Sequence, residues 1–160
     1  MPSPRLRYRR ATIDEALALV QETVVIEGPT ARAYPDEGTR FFALRMLERG
    51  TADADIFGMY HVVESEGDTT VGHVGFHGAP GDDHATRIGY AIAEDVRGRG
   101  YATEAVGWIV ELAMAQPEVT MVRADTARTN LASQRVLERN GFVPVRGDGA
   151  NVFYEYAVDP

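Results

Sequence analysis

The spacing of hydrophobic residues changes several times along the chain and predicts alternating strands and helices. Short apolar or alternating runs between turn residues indicate strands over residues 5–10, 56–63, 71–77, 86–93, 120–126, 142–145 and 152–158. Apolar side chains three and four positions apart indicate helices over residues 12–27, 41–49, 103–116 and 130–140. The order β-α-α-β-β-β-α-β-α-β-β predicts a mixed α/β domain, with a mostly antiparallel sheet of about seven strands flanked by about four helices.

Capping residues mark the ends of these helices. Thr12 and Glu15 form a capping-box pattern at the first helix, and Gly28-Pro29 is predicted to end it. Asn140-Gly141 predicts a left-handed stop for the last helix. No repeat or linker divides the 160 residues, so we expect one domain over residues 1–160.

The composition is that of a soluble globular protein, since 44% of residues are hydrophobic and 25% are charged. Because the chain has no cysteine, disulfides, thiolate metal sites and a cysteine nucleophile are excluded. No apolar run approaches the roughly 20 residues that span a bilayer, and no apolar stretch follows the first charged residues as in a secretory signal. We therefore expect a cytoplasmic protein without a membrane partner.

The charge balance disfavours nucleic acid as a partner. The net charge is −8, and all 16 basic residues are arginine. Binding to nucleic acid needs clustered positive charge, which an acidic chain of this size supplies poorly. A cationic small molecule or a basic peptide is the better electrostatic match.

The turn between the strand at 86–93 and the helix at 103–116 has the features of an anion site. Gly98 and Gly100 let the backbone approach a phosphate, and a helix N-terminus follows. Arg97 and Arg99 add charge, and Thr103 adds a hydroxyl. A Walker loop is excluded because the chain has no lysine, and a dinucleotide fingerprint fails at Thr103. The alternative is a glycine-rich turn with surface arginines.

The motif Arg97-x-x-Gly100-x-Ala102 resembles the Gln/Arg-x-x-Gly-x-Gly/Ala signature of the GNAT family of N-acetyltransferases. Residues 7–19, 88–90 and 130–142 resemble other segments of the same family, so the likeness covers nearly the whole chain. It is closest to the RimJ/RimL-like branch, which acetylates the N-termini of ribosomal proteins. The resemblance implies an enzyme with the GNAT fold.

The resemblance also implies acetyl-coenzyme A as the donor and a primary amine, on a protein N-terminus or a small molecule, as the acceptor. The amine is expected to attack directly in a ternary complex. The pyrophosphate is expected on the turn residues Arg97, Gly98, Arg99, Gly100, Tyr101, Ala102 and Thr103. The pantetheine arm is expected beside Tyr90, Ala91, Ile92 and Ala93, with the N–H of Ile92 toward the thioester oxygen.

Asn130 and Ser133 lie one helical turn apart and so share a face of the last helix. Asn130 suits a helix N-cap and, by resemblance, a contact with the coenzyme arm. Many relatives protonate the leaving thiolate with a tyrosine at the position of Leu137. The RimL-like branch uses the serine, so Ser133 is the expected acid here. Its alternative is an ordinary helix-surface hydroxyl.

The base and the acceptor site are less well marked. Asp125 matches a position where several relatives carry an acidic group, and it could instead pair with Arg123 or Arg128. Arg87 stands where relatives often carry glutamate, which suggests an acceptor that bears a carboxylate or a phosphate. His77 is a further candidate base or acceptor contact.

Tyr34, Phe41 and Phe42 lie where the first two helices of this family wall the acceptor site, and they could equally be core residues. His73 and His77 share one face of a strand, but about 13 Å of extended chain separates them, so no metal is expected. An acyl-coenzyme-A-binding regulator without turnover is the alternative function, given Leu137 and Arg87. Monomer and homodimer both remain open.

Overall fold

The computed structural model describes residues 4–23, 26–53 and 55–157, and their elements follow the predicted order. The strands are β1 (Leu6–Arg10), β2 (Met59–Glu64), β3 (Thr69–Phe76), β4 (Ala85–Ile92), β5 (Met121–Ala127), β6 (Val143–Gly147) and β7 (Asn151–Ala157). The helices are α1 (Ile13–Val20), α2 (Glu37–Glu48), α3 (Tyr101–Met114) and α4 (Leu131–Arg139). The prediction of a mixed α/β fold is confirmed.

All seven strands form one sheet in the order β1-β2-β3-β4-β5-β7-β6. Every neighbouring pair is antiparallel except β4 and β5, which are parallel and are connected through α3. Such a parallel connection requires a crossover, which the helix supplies. The parallel pairing is short: residues 85–87 pair with residues 121–123, and no pairing continues beyond them.

The helices cover the sheet and create two apolar clusters. The larger cluster includes the inner face of α3, which buries Ala105, Val106, Ile109, Val110 and Ala113 against the sheet. The smaller cluster packs α1 and α2 together through Ala16, Leu19, Phe42, Ala43 and Met46. α3 and α4 are in contact, and their first turns lie beside the end of β4 that is unpaired with β5.

The first helix is shorter than the sequence pattern predicts. The Thr12 capping box is present, with the Thr12 hydroxyl accepting from the N–H of Glu15. The helix nevertheless ends at Val20, well before Gly28. Glu22 adopts a left-handed φ of 57°, and the N–H of Thr23 donates to the carbonyl of Ala18 (3.0 Å). This is a Schellman stop built on a residue other than glycine. Val24, which the pattern placed in the helix, lies outside the described residues.

Candidate active site

The site forms where β4 and β5 separate. Residues 85–87 of β4 pair with β5, whereas residues 88–92 pair with β3 alone. The N–H of Ala93 donates to the carbonyl of Val71 (2.8 Å), so alternate residues of this strand bond to β3. Tyr90 and Ile92 fall between them, and their N–H groups point into the gap. This leaves a strand edge free for an extended ligand.

The turn that follows β4 presents backbone donors at the start of α3. Gly98 and Gly100 have φ values of 84° and 82°, a left-handed conformation that favours glycine. Gly100 is the N-cap, and no side chain caps the helix. The first amides of α3 are therefore available to an anion, and the helix dipole attracts negative charge to them. Arg97 stabilises the turn by donating its Nε proton to the carbonyl of Ile92 (3.0 Å).

A cleft of about 400 Å³ joins this turn to the gap and to α4. It brings together eleven of the residues predicted to hold the coenzyme or act in catalysis: Tyr90, Ala91, Ile92, Arg97, Gly98, Gly100, Tyr101, Ala102, Thr103, Asn130 and Ser133. The residues from β4 and those from α4 lie about 40 positions apart in sequence. The crossover through α3 places them on opposite walls of the cleft.

Two predicted coenzyme residues lie outside this cleft. Ala93 is buried in the core. The guanidinium of Arg99 points to the other side of the turn, where its Nη1 lies 3.7 Å from a carboxylate oxygen of Glu64. The carbonyl of Arg99 accepts from Arg5 (3.0 Å). The charge of Arg99 therefore faces away from the cleft, and only its backbone belongs to the turn.

Two arginines of the cleft wall were not predicted from the sequence. Arg135 and Arg139 line the cleft from α4, together with Ala132 and Val136. Positions 132, 135, 136 and 139 repeat at three and four residues and so share one face of α4, beside Ser133 at its first turn. That periodicity was the available signal. With Arg97, these side chains give the cleft three guanidinium groups in a protein whose net charge is −8.

Asn130, Ser133 and Tyr90 form one hydrogen-bonded group. Oδ1 of Asn130 accepts from the N–H of Ser133 (3.1 Å), so Asn130 is the helix N-cap. The Tyr90 hydroxyl oxygen lies 2.7 Å from Oγ of Ser133 and 3.2 Å from the carbonyl of Ser133, so both are within hydrogen-bond reach. Burial raises the pKa of Tyr90 to about 12, although the hydrogen bond with Ser133 opposes the shift. Leu137 is fully buried in the core.

Asp125 is held by an arginine, although not by either of those considered from the sequence. Its Oδ1 lies 2.6 Å from Nη1 of Arg87, at the point where β4 and β5 separate. Arg123 instead pairs with Asp83 (2.6 Å), and Arg128 donates to a backbone carbonyl. The two unusual charges of the predicted acceptor site, Arg87 and Asp125, therefore neutralise each other.

The remaining predicted acceptor residues have different environments. Tyr34 is buried, and its hydroxyl lies 3.2 Å from Nδ1 of His61. Phe41 is 62% exposed, whereas Phe42 is buried and packs against His77 with 4.7 Å between ring centroids. Partial desolvation of the His77 ring against Phe42, with the nearby positive charge of Arg49, lowers the pKa of His77 below its ordinary value, although the residue keeps an exposed side. His77 is therefore uncharged at neutral pH.

Two further properties of the described residues concern metal binding and membrane spanning. Within residues 4–23, 26–53 and 55–157, no cluster of histidine, aspartate or glutamate has the geometry to hold a metal ion. His73 is buried and lies 3.2 Å from the hydroxyl of Thr39 through its Nδ1. None of the helices in these ranges is both long and apolar enough to cross a bilayer.

The sequence matches the family described as an acetyltransferase (GNAT) domain over residues 5–143. The chain therefore belongs to the GNAT family. It is 31% identical over 87 residues to the uncharacterized N-acetyltransferase YjdG of Bacillus subtilis (strain 168). That match covers 54% of this chain and 52% of the relative, so it spans about half the length of each.

Solved structures share the fold over nearly the whole chain. RimL, a ribosomal-protein alpha-N-acetyltransferase solved in complex with coenzyme A, has a TM-score of 0.68 at 20% identity, with 98% of this chain and 96% of that chain covered. A ribosomal-protein alanine acetyltransferase from Vibrio fischeri has a TM-score of 0.66 at 17% identity, with 98% and 95% covered. The prediction of the GNAT family is confirmed by the family match, and these structures share its fold.

Proposed function

We propose that this protein is an acetyl-coenzyme-A-dependent N-acetyltransferase that acts on a primary amine. One observation carries the proposal: the free edge of β4 and the uncapped start of α3 open into the same cleft. The first feature suits an extended amide-bearing arm, and the second suits a phosphate group. Coenzyme A carries both, and acetyl-coenzyme A is the donor that the family uses.

The residues of the cleft fit this donor. A methyl group at Gly98 would meet nothing within 4 Å, so the backbone at this position faces open space. The amides of Tyr101, Ala102 and Thr103 would hold the pyrophosphate, and Arg135 and Arg139 would add opposite charge. Tyr90 and Ile92 would hydrogen-bond the pantetheine arm through their backbone, as a neighbouring strand does.

The acetyl thioester supplies an activated acyl group, and the protein's part is to position and stabilise it. The N–H of Ile92 points into the gap, where a fixed donor stabilises negative charge that develops on the acyl oxygen. Since the 160-residue sequence has no cysteine, a cysteine-bound acyl group is excluded, which supports direct attack of the amine on the thioester.

The acceptor amine must lose a proton, and we assign that role to Asp125. Its carboxylate lies beside the gap, and Arg87 fixes its orientation at 2.6 Å. His77, which packs against Phe42 with 4.7 Å between ring centroids, is the alternative base. The pair with Arg87 also leaves less free positive charge for a carboxylate or phosphate on the acceptor, so a simple amine or a peptide N-terminus fits the site better than an anionic amine.

The proposal is tested by titrating the protein with acetyl-coenzyme A and then measuring thiol release with a panel of amines and peptide N-termini. Binding with release on at least one acceptor is expected. Tight binding without release across the panel would favour the alternative, a regulator that binds acyl-coenzyme A without turnover. The absence of any shift in melting temperature or in the amide NMR signals of residues 97–103 would exclude both functions.

A further inference from the structure

The cleft contains a pair of hydroxyls that come from different elements. Four hydroxyl-bearing residues line it, namely Tyr90, Tyr101, Thr103 and Ser133. The Tyr101 hydroxyl donates to Glu64 (2.5 Å) outside the cleft, and Thr103 lies at the start of α3 with the predicted phosphate donors. Tyr90 and Ser133 remain, and their oxygens lie 2.7 Å apart.

A count of protons shows that this pair has two hydrogen-bonding arrangements. The Tyr90 hydroxyl has one proton and two acceptors within reach, the carbonyl of Ser133 at 3.2 Å and its Oγ at 2.7 Å. If Tyr90 donates to the carbonyl, the Ser133 proton points to Tyr90. If Tyr90 donates to Oγ, the Ser133 proton is free to point into the cleft. The 2.7 Å contact has the ordinary length of an O–H···O hydrogen bond.

The surroundings of Ser133 fix the rest of its geometry. Its N–H is held by Oδ1 of Asn130 (3.1 Å), which anchors the first turn of α4. Leu137, one turn further along α4, is buried and has no proton to donate. The direction of the Ser133 hydroxyl therefore depends on Tyr90.

We propose that Tyr90 is a positioning residue whose phenol donates to Oγ of Ser133 and so directs the Ser133 proton toward the sulfur of the leaving thiolate. The inference rests on the proposed function. In the acyl-transfer step the C–N bond forms and the C–S bond breaks. The electron pair of the broken bond stays on sulfur, and the amine proton passes to the base on the acceptor side. The Ser133 hydroxyl stabilises the thiolate by a hydrogen bond and keeps its own proton.

The phenol is suited to direct a hydroxyl and unsuited to give its proton away. Burial raises the pKa of Tyr90 to about 12, so it stays protonated through the neutral range. An ordinary thiol ionises near pKa 8.5, so net transfer of the phenol proton to a thiolate is unfavourable. A donor that stays protonated supplies the same hydrogen bond in every turnover.

The direct test uses Tyr90→Phe and the thiol pKa of bound coenzyme A, measured from the ultraviolet absorbance of the thiolate. The unsubstituted protein should lower this pKa relative to the free coenzyme. Tyr90→Phe and Ser133→Ala should each raise it by about one unit, since a hydrogen bond to a charged group is worth that much. Both should lower kcat about tenfold with little change in the KM for acetyl-coenzyme A, and the double variant should be no worse than Ser133→Ala.

Tyr154→Phe is the matched control. Tyr154 is buried and, like the partly buried Tyr90, bonds α4, through Glu138 at 3.3 Å, but it lies outside the cleft lining. Its removal should leave the thiol pKa and kcat unchanged. If Tyr90→Phe does not fold, a fluorinated tyrosine at position 90 replaces it. The more acidic phenol is a stronger donor and should lower the thiol pKa further.

Each outcome discriminates. A Tyr90→Phe protein with the unsubstituted thiol pKa and kcat overturns the positioning role and leaves the proposed function intact. A fluorinated tyrosine with no effect on the thiol pKa overturns it equally. Failure of the unsubstituted protein to bind coenzyme A overturns both the role of Tyr90 and the proposed function.

Discussion

Arg87 and Asp125 face each other at the point where β4 and β5 separate, with Nη1 of the arginine 2.6 Å from Oδ1 of the aspartate. The pair removes Arg87 as a free cation for an anionic acceptor, and it gives the carboxylate of Asp125 a charged partner. Because both side chains remain partly exposed, the ion pair itself contributes at most about 1 kcal/mol to folding. Its main effect is on the direction in which the carboxylate points.

Asp125→Asn should therefore impair chemistry more than folding. We expect about a 100-fold loss of kcat, the usual effect of removing a general base, with unchanged affinity for acetyl-coenzyme A. Asp83→Asn is the control, since it breaks another arginine–aspartate pair of 2.6 Å, with Arg123. Steady-state kinetics and calorimetric titration give both quantities. Equal activity of the two variants would show that Asp125 is not the base.

Gly98→Ala and Gly50→Ala separate backbone strain from ligand contact. Both glycines have a left-handed φ, 84° and 70°, and a methyl group at either would meet nothing within 4 Å. Each substitution should cost about 1–2 kcal/mol of stability. Only Gly98 lies in the cleft, so only Gly98→Ala should weaken acetyl-coenzyme A binding, by about tenfold. Equal affinity of the two variants would contradict the phosphate placement.

His73 makes stability depend on pH. Burial lowers the pKa of His73 to about 4, against the opposing charge of Asp36, whereas an unfolded histidine ionises near pKa 6.5. As pH falls from about 6.5 to 4, the unfolded chain gains a proton that the native protein excludes. The free energy of unfolding should therefore fall, by roughly 1 kcal/mol per pH unit. Chemical denaturation across this window measures the slope. His73→Gln should reduce the slope and leave the contribution of His77, whatever its effect on stability at pH 7, and an unchanged slope would count against this explanation.

Glu15 contributes in a lower pH window. Burial disfavours ionisation of Glu15, but the His61 ring 3.3 Å away and hydrogen bonds from Arg9 and the N–H of Thr12 outweigh it and hold the pKa of the carboxyl well below its ordinary value. Such a group stabilises the fold above its unfolded pKa of about 4.3 and loses that contribution as pH falls. Glu15→Gln should cost about 2 kcal/mol at pH 7 and progressively less below pH 4.

The control for this series is Glu48→Gln. Glu48 pairs with Arg45 at 2.8 Å on the exposed surface of α2, where an ion pair contributes less than about 1 kcal/mol. Its removal should change little at any pH. A Glu15→Gln deficit that persisted unchanged at pH 3 would show that packing, and not charge, explains the loss.

The order of elements and the anion-binding turn could be predicted from sequence because both depend on local patterns. The capping box at Thr12 and the glycines at positions 98 and 100 can each be recognised from a few consecutive residues. The end of α1 could not be predicted, because Glu22 adopts the left-handed conformation that usually requires glycine. Local signals thus gave the elements, with errors where an unusual residue replaced the expected one.

Contacts between distant residues required the folded structure. Arg87 and Asp125 are 38 positions apart, and Tyr90 and Ser133 are 43 apart. Each pair forms because the crossover through α3 places β4 beside β5 and α4, which no local pattern encodes. The same applies to Arg99, whose charge faces Glu64 and not the cleft. The direction in which an arginine projects from a turn depends on neighbouring residues that only the folded structure brings close.

Because β4 pairs with β5 over only three residues, the half of the sheet that ends at β4 shares few direct hydrogen bonds with the half that begins at β5. A peptide-like arm inserted there would act as a temporary eighth strand. Amide protons on both sides of the seam should then exchange with solvent more slowly in the loaded protein, and its resistance to heat should rise with donor concentration. The donor is in this sense a removable part of the architecture as well as a reactant.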